Sequence, residues 1–157
     1  MLEDRPDKIR RRIATALAAA VAAPLVPAQV VRAAAPTIEV WTGPSCGCCR
    51  EWVKHLEANG FDVVVYDGGN SAARERLGMP VRYGSCHTAS VAGYAIEGHV
   101  PAREIHRLLA ERPDAVGLAV PAMPRGSPGM EVGGVVDPYD VLLVQRDGSA
   151  TVYQSYR

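Results

Sequence analysis

Three of the chain's four cysteines stand within four residues, as Cys46-Gly47-Cys48-Cys49. Ahead of them Thr37-Ile38-Glu39-Val40-Trp41 alternates polar and apolar, as a half-buried strand does, and Thr42-Gly43-Pro44-Ser45 turns the chain. Behind them Cys49, Trp52, Val53 and Leu56 recur at i, i+3, i+4 and i+7, the apolar face of a helix that stops at Asn59-Gly60. Ser45 is the expected N-cap. A strand turning directly into a thiol-headed helix leaves few choices outside the α/β class. It also has a chemical consequence, because free amides and the helix dipole at that end stabilise thiolate, which is both nucleophile and metal ligand. The adjacent pair Cys48-Cys49 is poorly placed to bridge itself, which argues against cysteines used only as structural disulfides.

The rest of the chain continues the alternation. Phe61–Tyr66 reads as a second strand, and Asn70 or Ser71 caps a short helix to about Leu77, ended by Gly78 and Pro80. Cys86 to Ile96 reads as two short strands turning near Ala92-Gly93. Pro101 opens a helix with Ile105, Leu108 and Leu109 toward the core, ending before Pro113. Val141–Val144, Asp147-Gly148 and Thr151–Tyr153 form a terminal hairpin. Strand, Cys-x-x-Cys, helix, strand, helix, two strands, helix is the order of a thioredoxin-like domain. The expected fold is therefore a single thioredoxin-like α/β domain over 36–157 with a C-terminal β-hairpin added. Cys46 and Cys49 supply the Cys-x-x-Cys spacing. Cys86 falls where thioredoxins place a proline before their third strand, a swap that adds a ligand and removes a device for orienting thiol substrates.

Residues 1–35 are expected to be a signal peptide. Arg5, Lys8, Arg10, Arg11 and Arg12 precede an uncharged run from Ile13 to Val31, and Ala33-Ala34-Ala35 offers small residues for cleavage. Pro24 and Pro27 interrupt the run, and the uninterrupted part falls short of the ~20 residues of a spanning helix. A periplasmic protein without stable membrane insertion after cleavage is the expectation. The whole chain has a formal net charge of zero, and residues 36–157 hold eleven basic and fourteen acidic side chains. With no basic stripe and no aromatic platform, nucleic acid is not an expected partner.

Thiolates are soft ligands and select Cu(I). Four of them could hold one zinc ion, but structural zinc usually takes separated pairs of ligands, and bridging sulfurs on several Cu(I) ions suit the crowding better. The expected ligands are Cys46, Cys48, Cys49 and Cys86, with His87, Met123 and Met130 as further candidates. His87 would point away from Cys86 if both lie in one strand. His99 suits a turn hydrogen bond, His55 and His106 suit solvated helix faces, and Met79 suits the core. Glu97 and Glu131 receive no acid/base role. An envelope thiol-disulfide oxidoreductase using Cys46 and Cys49 stays open as the alternative, as does a module whose thiols only dock a partner.

A set of segments then carries a resemblance. Cys-Gly-Cys-Cys at 46–49, Leu77-Gly78-Met79-Pro80, Ser85-Cys86-His87-Thr88-Ala89, Gly93-Tyr94 and Glu97-Gly98-His99-Val100-Pro101-Ala102 belong to it. So do Gly117-Leu118-Ala119-Val120-Pro121, the stretch from Met123 to Glu131, and Tyr139-Asp140-Val141. In this order they resemble the CopG-type copper-resistance proteins, a family long catalogued as a domain of unknown function and unrelated to the DNA-binding repressor of similar name. The resemblance covers most of 37–145. It implies a periplasmic, thioredoxin-like, copper-binding protein linked to copper tolerance, with copper ions and other periplasmic copper-handling proteins as partners. One departure is visible: Ala122 stands where the family pattern has Gly before Met-Pro, which should affect loop shape more than ligation.

Overall fold

The computed structural model describes residues 34–157. The expected signal peptide lies outside the described residues, apart from its last two positions. Seven strands form one sheet, β1 (Thr37–Thr42), β2 (Asp62–Asp67), β3 (His87–Val91), β4 (Tyr94–Glu97), β5 (Gly117–Ala119), β6 (Tyr139–Val144) and β7 (Ala150–Tyr156). The helices are α1 (Gly47–Ala58), α2 (Asn70–Arg76) and α3 (Ala102–Glu111). Across the sheet the order is β2-β1-β3-β4-β5-β6-β7. β1 pairs parallel with β2 and antiparallel with β3, β3 antiparallel with β4, and β4 parallel with β5. The first four strands are thus compatible with the expected thioredoxin-like arrangement. β5 adds a strand that sequence alone did not suggest, and the C-terminal hairpin β6–β7 extends the sheet antiparallel from it.

The pleat sorts the core into two sides. Ile96 and Leu118 pack with Ile38, Val40, Trp52, Leu56, Ile105 and Leu108, which seats α1 and α3 on one face. Their neighbours Ala95 and Ala119 point the other way and pack with Met79, Leu77 and Tyr83, the chain that follows α2. Met79 is core, as expected. Trp52 is fully buried and donates its indole N–H to the Val100 carbonyl at 2.8 Å, tying α1 to the segment before α3.

Two expected caps differ. Cys46, not Ser45, is the N-cap of α1, and no side chain caps that end. Gly69 in a left-handed conformation (φ 75°) precedes α2, a backbone role that glycine fills at no steric cost, so Asn70 becomes the first helical residue. His55 is not simply solvated either. Its Nε2 accepts the Ala102 N–H at 3.0 Å, satisfying a free amide at the start of α3.

Candidate metal centre

The four cysteine sulfurs converge. Those of Cys46, Cys48, Cys49 and Cys86 all lie within 4.8 Å of one another. Three come from the first turn of α1 and its N-cap. The fourth comes from the residue just before β3, and β1–β3 pairing, with Thr42 opposite His87, brings it to the head of α1. Cys46 and Cys49 are joined in a disulfide, while Cys48 and Cys86 are free thiols. Cys48 Sγ sits 3.5 Å from Cys46 Sγ, and Cys86 Sγ 3.4 Å from Cys49 Sγ. Burial, and then the nearby Cys48, push the Cys86 thiol up to about 12, so it is protonated at neutral pH in the absence of a cation.

Two histidines close on the same sulfur. His87 Nδ1 lies 3.3 Å and His99 Nε2 3.2 Å from Cys86 Sγ. The expectation that His87 points away from Cys86 assumed one continuous strand. Cys86 precedes β3 instead, and the alternation does not apply across that junction. His99 makes no local turn bond of the kind expected: its Nδ1 faces the Pro128 carbonyl at 2.8 Å, 29 residues along the chain, and its other nitrogen reaches the thiol. Sequence reasoning missed this second role. The available signal was His99's place one residue past Gly98, at the end of the strand that pairs with β3.

The far nitrogens of both rings face backbone carbonyls, His87 Nε2 at Gly98 O (3.0 Å) and His99 Nδ1 at Pro128 O. Carbonyls only accept, so each far nitrogen carries the proton and each near nitrogen presents a lone pair to Cys86. This is how a protein orients metal-binding imidazoles. Burial, and the neighbouring His99, lower His87 to about 3, and burial lowers His99, so both rings are neutral. A single thiol proton can satisfy only one of the two lone pairs. A soft or borderline cation would satisfy both, and the donor set fits copper.

The loop holding Met123 and Met130 packs over this end of α1. A Cβ on Gly129 would stand 2.7 Å from the Cys48 carbonyl oxygen and from the Trp52 nitrogen. Met130 is half-buried and Met123 is exposed. Ala122 adopts φ 61°, a left-handed conformation suited to the glycine expected there, and its carbonyl accepts the Ser85 hydroxyl. Glu97 and Glu131 are not a carboxylate pair. Glu97 binds Arg74, and Glu131 accepts the Gly129 N–H.

Comparison with known proteins bears on this cluster. A family model described as "Protein of unknown function, DUF411" matches residues 83–130. Two solved structures titled "Copper resistance protein copG", Form 1 and Form 2, are similar at 50% and 49% identity, each with a TM-score of 0.73. Each alignment covers 78% of this chain, with 98% of the first relative and 99% of the second. The chain belongs to the CopG copper-resistance family. No curated protein matches it. Within the CopG family the mixed α/β domain with its seven-stranded sheet is the shared fold, and the cysteine cluster of this member fits copper binding. Among the described residues no helix is long and apolar enough to cross a membrane.

Proposed function

We propose that this protein is a periplasmic copper-binding protein that holds Cu(I) on Cys46, Cys48, Cys49 and Cys86 and contributes to copper tolerance by storage, transfer or Cu(I)/Cu(II) cycling. The observation that carries the reading is the convergence of four sulfurs at the head of α1, one of which, Cys86, also faces two imidazole lone pairs. Related structures are titled copper resistance proteins, which supports copper over zinc. Reduction of the Cys46–Cys49 disulfide by two electrons and two protons frees the two thiols that complete the ligand set. Crowded thiolates bridge, so more than one Cu(I) per chain is the proposed load. His87 and His99 are the proposed nitrogen donors, and Met130 and Met123, on the loop over α1, the proposed thioethers. Other periplasmic copper-handling proteins are the proposed exchange partners.

The test is an anaerobic Cu(I) titration of the reduced protein. Wild type should take up more than one ion per chain, and Cys48→Ser, which a dithiol enzyme would not need, should lose copper as severely as Cys46→Ser. Equal stoichiometry and affinity in Cys48→Ser would falsify the multi-thiolate site. For the compartment, mass spectrometry of fractionated cells should find a mature N-terminus near 33–36 in the periplasm. Intact Met1 in the cytosol would overturn that part.

A second reading has one observation in its favour, the Cys46–Cys49 disulfide at a helix N-terminus. In it the protein is an envelope thiol-disulfide oxidoreductase, one thiolate attacking a substrate disulfide and the other resolving the mixed disulfide. Copper retained and disulfide turnover, measured together in wild type and Cys86→Ser, separate the two. Strong turnover that survives the substitution, with no copper bound by either protein, would favour the enzyme.

A further inference from the structure

The segment that delivers Cys86 to the cluster has no proline to stiffen it, yet one buried ion pair grips it at both backbone groups. Glu97, at the end of β4, is fully buried. Its Oε1 accepts the Ser85 N–H at 2.7 Å and Arg74 Nε at 3.0 Å, and its Oε2 accepts the Thr88 hydroxyl at 2.7 Å. Arg74, from α2, donates Nη2 to the Ser85 carbonyl at 2.9 Å. The N–H and the C=O of the residue before Cys86 are therefore both held by the same pair. Asn70 Nδ2 holds the Cys86 carbonyl at 3.3 Å.

Glycines make the room. A Cβ on Gly84 would stand 2.9 Å from the Val81 carbonyl oxygen and 3.3 Å from Arg74 Cζ, and one on Gly98 only 2.7 Å from Ser85 Cβ. A buried ion pair is weak evidence of a stabilising role, because an apolar pair of similar volume often serves as well or better. What apolar side chains cannot do is fix a neighbouring backbone segment through several directed bonds. Neither Arg74 nor Glu97 belongs to the ligand groups themselves.

We propose that Arg74 and Glu97 are positioning residues for Cys86: they set its sulfur against those of 46–49 and thereby govern how tightly Cu(I) is kept. The part concerning copper rests on the copper reading above, whereas the placement of Cys86 does not.

The variants are Glu97→Gln, which keeps the shape and removes the charge, and Arg74→Lys, which keeps the charge and removes the fork. Thr88→Val, which deletes the hydroxyl shared between Glu97 and the Asn70 carbonyl, replaces either one that does not fold, as judged by circular dichroism. The first measurement needs no metal. In a Cys46→Ser/Cys49→Ser background, diamide oxidises Cys48 and Cys86 to a disulfide, two thiols giving up two electrons and two protons to the reagent. The rate reports their proximity. The second is Cu(I) affinity by chelator competition, with and without Cys86→Ser. The variants should slow the cross-link and weaken Cu(I) binding about tenfold or more. They should add nothing once Cys86 is gone, as expected of residues acting through it. Unchanged cross-linking, or equal weakening in the Cys86→Ser background, would overturn the proposal. Slowed cross-linking in a protein whose wild type takes up no copper would overturn the copper reading and leave the positioning role standing.

Discussion

At the level of single residues, the loop over α1 offers a matched pair of tests. Gly129 (φ 84°) and Ala122 (φ 61°) both occupy left-handed conformations in it. Gly129→Ala would drive a Cβ into backbone atoms of Cys48 and Trp52, which cannot move aside as a flexible side chain can. We expect it to cost about 1–3 kcal/mol in a denaturant melt and to shift the loop away from the thiols. Ala122→Gly relieves the strain of the left-handed conformation, and should gain up to about 1 kcal/mol. A loss in the second melt would mean that Ala122 makes contacts worth more than its strain. Ala122 was legible in the sequence only as a departure from a pattern, because a backbone angle leaves no mark on a residue that does not need it. The same limit hid His99. Its two contacts, with Pro128 and with Cys86, join it to segments distant in the chain, and no local pattern announces either.

Among the elements, those with strong periodicity were legible: α1, α3, β1 and β2 lie within a residue or two of expectation, and the terminal hairpin is present with its last strand running three residues further than expected. β5 was not, since Gly117–Ala119 is too short to alternate and is fully buried between two neighbours. The hairpin is tied to α3 through Glu104, a fully buried carboxylate that accepts the Tyr156 hydroxyl at 2.8 Å. Tyr156→Phe leaves that carboxylate short of a donor, so we expect a loss of about 1–3 kcal/mol in a urea melt. A loss below a few tenths would show that the guanidinium groups of Arg103 and Arg107, 3.0 and 3.7 Å from the same carboxylate, suffice. The hairpin also predicts an alkaline response. Burial, then the charges of Glu104 and Glu131, push Tyr139 up to about 12, and burial with the Glu104 bond raises Tyr156. Both stay neutral in the folded protein while the unfolded chain ionises from the ordinary value of 10.0. Above that point the unfolded state holds fewer protons, so stability should be intact below pH 10 and fall as pH rises toward 12. A flat unfolding midpoint across that interval would contradict the burial of these rings.

For the molecule as a whole, binding and folding are linked. Copper that binds only the folded protein should stabilise it by about 2.7 kcal/mol at a hundredfold excess over Kd. A thermal melt of the reduced protein with and without Cu(I) checks this. No upward shift in wild type, or the same shift in a protein lacking all four cysteines, would place the copper elsewhere. The cause lies in the spacing of the ligands. Cys49 and Cys86 are 37 residues apart and meet only because β3 has paired with β1. Any stage that handles this chain as an extended thread, whether at the ribosome or in a secretion pore, therefore handles it without a pocket for its cargo. The protein has to be filled where it folds, and its metal supply must reach it there.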